Sequence, residues 1–228
     1  FYAPKSYGWI YTAYQTPLLK QSSINNGIMR FFGKESVGVS GSNGAHIKEQ
    51  TAYAYIELNK PIELYGDKSV GVNFLTEPDN SSNNFFASKF NVQIGGAALT
   101  TQDALYGNMT GGDVKKVENS IGINFDFSIE NAGFSNKDIN NYIVTLKDNS
   151  KNSIAVRLGQ AKWTFNDLGT SGVTIGGEDN IGYLSDGSNN NNSLTYNNTT
   201  NNYKVTGKDA ILFAAKDGGT LKVNNSLP

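Results

Sequence analysis

The chain contains no cysteine. That single absence removes disulfide staples, thiolate metal sites and cysteine nucleophiles together. It suits a bacterial surface protein that crosses an oxidising periplasm unfolded, although many cytosolic proteins also lack the residue. Histidine occurs once, as His46 in the loop-like run Gly44-Ala45-His46-Ile47, and no Gly-x-Ser-x-Gly elbow is present, so nothing supports a catalytic serine. Arginine is restricted to Arg30 and Arg157, and the formal net charge is −1. Phosphate binding needs a basic stripe, so nucleic acid is not expected as a partner. No apolar run is long enough to cross a bilayer as a helix, and the steady ten-residue alternation of a membrane barrel is missing. Helical signal is nearly absent too. Only Asp103 to Tyr106 and Lys137 to Tyr142 read as a turn or two of helix.

Glycine and asparagine are abundant, at 25 and 30 of 228 residues, against 5 prolines. Asn tolerates the left-handed conformation and bridges turns with its amide, so this balance suits a β-rich chain of many turns. A short phrase recurs along it. It reads Gly33-Lys34-Glu35-Ser36-Val37-Gly38-Val39, then Gly66-Asp67-Lys68-Ser69-Val70-Gly71-Val72. It returns as Val117-Glu118-Asn119-Ser120-Ile121-Gly122-Ile123, as Gly177-Glu178-Asp179-Asn180-Ile181-Gly182-Tyr183, and as Gly207-Lys208-Asp209-Ala210-Ile211-Leu212-Phe213. Alternating runs precede four copies: Met29-Arg30-Phe31, Ile62-Glu63-Leu64, Val173-Thr174-Ile175 and Tyr203-Lys204-Val205. Apolar-polar-apolar is the period of a half-buried strand. The leading glycine with two polar residues reads as a bend made by φ > 0 at Gly, and a short β-branched strand follows. Each unit is one corner of a coil that buries its apolar face only by stacking on the next. The expected fold is therefore all-β, a parallel β-helix (β-solenoid) forming one domain over residues 1–228, with irregular loop or hairpin insertions.

The structural positions of the repeat are Gly33, Ser36, Gly66, Ser69, Ser120, Gly177, Asn180 and Gly207, and the small-residue column is expected to ladder between coils about 4.8 Å apart. Ser153-Ile154-Ala155-Val156 reads as a degraded copy. The long interval from Ser69 to Ser120 holds either an insertion or a rung without the phrase, and Asp113 and Lys115 stand where the alternating lead-in to the third copy is expected. Thr220 to Asn225 reads as the opening strand of a further rung, so a longer parent protein is expected.

These residues carry a resemblance. The Gly-x-x-Ser-Val/Ile-Gly-Val phrase after an Ile-x-Leu strand, as in Ile62 to Val72, resembles the passenger repeats of large type V (autotransporter) bacterial adhesins, fusobacterial RadD-like surface proteins among them. The resemblance implies a right-handed coil. It also implies export through an outer-membrane barrel C-terminal to the passenger, display on the bacterial cell surface, and binding of host receptors, host glycans or partner bacteria. It transfers no catalytic motif, cofactor or metal.

Binding in a solenoid is expected on the stretches that break the repeat. Residues 1–21 carry Tyr7, Trp9 and Tyr11 on alternate positions of one strand face: exposed, an aromatic platform; buried, a cap or core layer. Residues 77–113 hold Phe85 and Phe86 beside an Asn/Ser run, and residues 186–202 read as a polar, low-complexity mobile loop with sequons such as Asn198-Thr199-Thr200. Trp163 and Phe165 read as core. The best ligand-binding candidates are thus Tyr7, Trp9, Tyr11, Phe85 and Phe86. Two other readings stand beside adhesion. A structural stalk needs only regular rungs. A polysaccharide-degrading enzyme needs clustered carboxylates, and Glu178 and Asp179, stacked near Lys208 and Asp209, read instead as solvated corner charges.

Overall fold

A computed structural model describes residues 1–13, 20–43, 53–74, 89–96, 116–125, 137–159, 162–187 and 193–225. These contain strands and no helix. Every strand pairing is parallel, and neighbours in a sheet come from successive turns of the chain. The protein is a parallel β-helix.

Three sides define the coil. The phrase strands form one seven-stranded sheet: β1 (Tyr7–Ala13), β4 (Val37–Asn43), β7 (Val70–Phe74), β10 (Ile121–Phe125), β14 (Ile154–Leu158), β17 (Ile181–Asp186) and β20 (Ile211–Lys216). The alternating lead-in runs form a second, six-stranded sheet: β3 (Met29–Phe31), β6 (Ile62–Leu64), β8 (Phe90–Ile94), β12 (Tyr142–Leu146), β16 (Gly172–Ile175) and β19 (Tyr203–Val205). The third side consists of β2 (Lys20–Asn25) with β5 (Tyr53–Leu58), and of β11 (Lys137–Ile139), β15 (Lys162–Asn166), β18 (Ser193–Asn198) and β21 (Thr220–Asn225). Between the lead-in and phrase sheets lies the bend. There β9 (Val117–Glu118) pairs with β13 (Ser150–Lys151), and single bridges carry that pairing on to Glu178 and Lys208.

All three sides feed one core. Val39, Val72, Ile123 and Val156 point in from the phrase sheet, Leu64, Ile94, Leu146 and Ile175 from the lead-in sheet, and Leu58, Phe165, Leu194 and Tyr196 from the third side; all are buried. Tyr142 and Tyr183 are buried as well, and their hydroxyls lie 2.8 Å apart, each giving the other a hydrogen-bond partner. Burial pushes both phenols up, and this shared bond lowers the Tyr142 pKa in part. Phe165, expected in the core, is fully buried there; the Trp163 side chain lies outside the described part.

The small-residue column ladders as expected. The backbone N–H of each member donates to the side chain of the next. Ser6 donates to Ser36 Oγ (3.2 Å), Ser36 to Ser69 Oγ (3.1 Å) and Ser69 to Ser120 Oγ (3.1 Å). Ser120 then donates to Ser153 Oγ (3.2 Å), and Ser153 to Asn180 Oδ1 (2.8 Å). Ser36, Ser69, Ser120, Ser153 and Asn180 are fully buried, so these bonds satisfy donors that water cannot reach.

Four expectations need correction. First, positive φ does not sit on the leading glycine, Gly177 apart. It sits on the second polar residue: Lys5, Glu35, Lys68, Asn119, Asn152, Asp179 and Asp209 have φ between 48° and 58°. Four of the seven are Asn or Asp, which bear the left-handed region best. The leading glycine answers a different need. A Cβ on Gly66 would collide with the Gly33 carbonyl, and one on Gly33 with the Ala3 carbonyl.

Second, the described residues 1–13 do not break the repeat. Ala3-Pro4-Lys5-Ser6-Tyr7-Gly8-Trp9 is a further copy, with Ser6 on the ladder and β1 paired to β4 through Tyr7↔Val37 and Trp9↔Val39.

Third, of the two readings of the interval between Ser69 and Ser120 the insertion holds, because β7 pairs directly with β10, but the lead-in strand lies elsewhere than expected. Its lead-in strand is Phe90–Ile94, in register with Ile62–Leu64, and not a run through Asp113 and Lys115. Part of the stretch 77–113 is thus regular coil, and residues 75–88 and 97–115 lie outside the described residues.

Fourth, the polar stretch 186–202 contains β18, a regular strand paired on both sides; only residues 188–192 lie outside the described part. The helical turn expected at Lys137 to Tyr142 is likewise strand, because its apolar residues feed the core (Ile139 and Tyr142 are buried). Asp103 to Tyr106 and His46 lie outside the described residues.

Ser69→Ala removes the acceptor of the buried Ser36 N–H and strands it, which costs about 1–3 kcal/mol. Gly71→Ala drives a Cβ into the Val92 side chain and to 2.7 Å from the Gly122 carbonyl, an overpacking expected to cost a similar 1–3 kcal/mol. Urea unfolding of the two variants checks both; an unchanged midpoint in either would contradict the packing described.

Candidate interaction surface

The interval along the chain between β8 and β9 is the long one on its side of the coil. Residues 95–116 separate these strands, where residues 147–149 suffice between β12 and β13. After β8 come Gly95 and Gly96, with φ of 75° and 158°. Side chains are excluded at both. A Cβ on Gly95 would meet the Asn149 amide at 2.5 Å, and one on Gly96 would press on Gln93 and on the Tyr65 hydroxyl at 3.3 Å. Hydrogen bonds fix this pair. Gly95 N–H donates to Leu64 O (2.8 Å), Gly96 N–H to Asn149 Oδ1 (2.9 Å), and Gln93 Nε2 to Gly95 O (2.9 Å). Gly95 and Gly96 are thus closely packed against Leu64, Gln93 and Asn149.

Next to them lies a polar and aromatic patch on the outer face of the lead-in sheet. The pairing puts Arg30, Glu63 and Gln93 in one row. Arg30 Nε donates to Glu63 Oε2 at 2.8 Å, and the Tyr65 hydroxyl donates to the same oxygen at 3.0 Å. Tyr2, Phe32 and Tyr65 stack as an aromatic ladder, with centroids 4.9 and 5.1 Å apart. Such rings offer apolar area with a polar tip, suited to sugar rings or to a protein hot spot. Phe32 and Tyr65 spend their faces on each other, and Tyr65 and Glu63 are buried, so Tyr2 and the half-exposed Arg30 side chain are what this surface presents.

The bend corner carries charges of both signs. Lys34, Asp67, Glu118, Lys151, Glu178 and Lys208 occupy equivalent positions. Glu178 sits between Lys151 Nζ (3.1 Å) and Lys208 Nζ (3.3 Å), with Lys116 at 3.7 Å. Hydrogen bonds from Lys151 and Lys208 hold the Glu178 carboxyl down at about 2. The expected approach of Glu178 to Lys208 is thus present as a solvated ion-pair column. Like-charged Asp67 and Glu118 are neighbours, and Asp67 Oδ1 accepts the Glu118 N–H at 3.1 Å.

Asp167 is the one fully buried carboxylate among the described residues. Burial alone would push its pKa up. Hydrogen bonds from the Thr199 hydroxyl and the backbone N–H groups of Thr199, Thr200 and Asn202 outweigh it and bring the carboxyl below its ordinary range. The donors all belong to the next coil, so Asp167 clamps the corner at 199–202. A general acid needs a raised carboxyl; Asp167 and Glu178 are both displaced the other way. Among the described residues no three His, Cys, Asp or Glu gather as a metal group. The sequon asparagine Asn198 is buried, and its side chain is bonded to Asn201 in both directions, as donor to Oδ1 and acceptor from N–H.

The sequence-based binding candidates separate. Tyr7 is exposed, whereas Trp9 is partly buried and packed against the core, so they do not make a common exposed platform. Tyr11 lies in β1 by its backbone; its side chain is outside the described part, as are Phe85 and Phe86 altogether. The junction at Tyr65, Glu63, Gln93 and Gly95-Gly96 escaped sequence reasoning. The Gly95-Gly96 pair straight after an alternating run was its one signal.

Asp167→Asn is expected to lower stability at neutral pH by about 1–3 kcal/mol, because an amide cannot accept at both ends from four or more donors. The carboxylate's stabilisation is present above the ordinary value of 3.8 and is lost as pH falls through the depressed folded value. Thermal melts across pH 2 to 7 should therefore converge for the two proteins only at the acid end. A constant gap down to pH 2 would contradict the clamp.

No family model, no curated protein and no solved structure matches this chain, so its function is argued from its own surface.

Proposed function

We propose that the chain is a segment of a bacterial surface adhesin, a rigid β-helix that displays a binding surface to host-cell receptors, host glycans or partner bacteria. The reading joins the fold to the resemblance of its repeat phrase to autotransporter passengers. In that setting the segment belongs to an exported protein held at the outer membrane by a barrel elsewhere in the parent. The observation that carries the proposal is the long interval 95–116 between β8 and β9, opened by the packed Gly95-Gly96 pair beside Tyr65. A spacer has no need of it, since the coil closes in three residues at 147–149.

The second reading is a stalk that spaces a distal tip from the cell. The small-residue ladder from Ser6 to Asn180 and the ion-pair column favour it, because both serve length and stiffness alone.

Replacing residues 97–115 by a short turn distinguishes them. Binding of the purified chain and of this variant is measured on host cells and on a glycan array, with circular dichroism to confirm a retained β signal. Saturable binding that drops at least tenfold in the variant is the expected outcome. Absence of binding by the folded parent chain would favour the stalk.

A further inference from the structure

We propose that Lys89 and Asn59 condense to an isopeptide bond that ties one coil to the next. The two side chains meet where the third side turns into the lead-in sheet. Lys89 Nζ donates to Asn59 Oδ1 at 3.3 Å. Asn59 Nδ2 donates in turn to Asn26 Oδ1 at 2.9 Å. That second bond orients the amide, with its nitrogen toward the preceding coil and its carbonyl toward the lysine. Backbone pairing fixes the same arrangement. Lys89 bridges to Glu57, and the Ile62↔Val92 register of the strands that follow counts back to Asn59 opposite Lys89. Met29↔Ile62 counts back likewise to Asn26 opposite Asn59. Between Glu57 and Asn59, Leu58 is fully buried and its N–H donates to Lys89 O at 2.9 Å, so the core anchors the corner.

The partner of Lys89 sets it apart. Lys5, Lys151, Lys208 and Lys216 face carboxylates, which make ion pairs and offer no leaving group. Lys89 faces an amide, whose nitrogen can depart. Its Nζ lies within about 4.5 Å of Asn59 Cγ, because a C=O bond adds at most about 1.2 Å to the observed contact. Rotation of the lysine's terminal torsions closes the remainder to a near-attack distance of about 3–3.5 Å. Glu57, Asn59 and Lys89 are all half-buried, which limits competition from water. Glu57 is the carboxylate in register with the amine and serves as its proton acceptor.

The step balances without a co-reactant. A bond forms between Lys89 Nζ and Asn59 Cγ, and the Cγ–Nδ2 bond breaks. The lysine ammonium gives up two protons, relayed through the Glu57 carboxylate to Nδ2, which leaves as ammonium. Charge is conserved and nothing is oxidised or reduced. The reaction occurs once per chain, so a slow rate suffices. The product is a covalent ring over residues 59–89 that holds two coils together when their hydrogen bonds open. It serves an adhesive segment and a stalk alike.

Intact-mass spectrometry of the purified 228-residue chain, aged in its folded state, tests this. The expected result is a mass short by one ammonia, with a digest containing a branched peptide that joins Asn59 to Lys89 and resists trypsin there. Lys89→Arg and Asn59→Ala should each restore the full mass. The arginine keeps the charge and most of the stem, so that variant stays informative if the alanine impairs folding. Glu57→Gln should slow formation about a hundredfold or more, the scale of general acid–base catalysis. A full mass in the aged parent chain would overturn the proposal. So would a shortfall that persists in Lys89→Arg, as a backbone succinimide at Asn26-Gly27 would give, or an unchanged rate in Glu57→Gln.

Discussion

The spacing between stacked backbones governs this molecule. Parallel strands of successive coils lie about 4.8 Å apart, and at the bend the chain must turn while keeping that distance. No room remains for a Cβ where one coil's carbonyl faces the next coil's α-carbon. Gly33 and Gly66 at the bend, and Gly38, Gly71 and Gly122 in the strands behind it, all stand against a neighbouring carbonyl. The turn itself is made by a residue with a side chain, held left-handed at some local cost. The two requirements fall on different residues, and together they generate the recurring phrase.

From that constraint the polar interior follows. A coil that packs so tightly buries backbone donors at its corners, and each must find a partner. The small-residue column supplies one per coil. On the third side Asn140, Asn166, Asn197 and Asn224 form a second ladder, their amides 2.6 to 2.8 Å apart and all donating in one direction. Asp167 meets the same demand at a corner where several N–H groups converge. The asparagine-rich composition thus has a structural use at several positions, and the buried carboxylate serves the fold.

Such a scaffold is uniform along its axis, so function must enter where uniformity is broken. Along this chain that happens at the long interval 95–116 between β8 and β9, beside a hydrogen-bonded Tyr-Glu-Arg group.

The repeat phrase by itself determined the fold class, the ladder column and the position of the degraded copy at Ser153, because stacking constrains residue size at fixed intervals. Sequence reading went astray wherever those intervals varied. It passed over Ala3 to Trp9, where Ala-Pro stands in place of glycine, and it took Phe90 to Ile94 for part of an insertion, since residues 95–116 cut that strand from its phrase. It also assigned positive φ to glycine, because local preference is blind to the carbonyl of the next coil. Only the tertiary structure decided which aromatic residues face out, since Tyr7 and Trp9 alternate identically yet differ in burial, and which acids are held by lysines or by backbone N–H groups. Those outcomes depend on neighbours 27 to 51 residues away, a separation that no local pattern encodes.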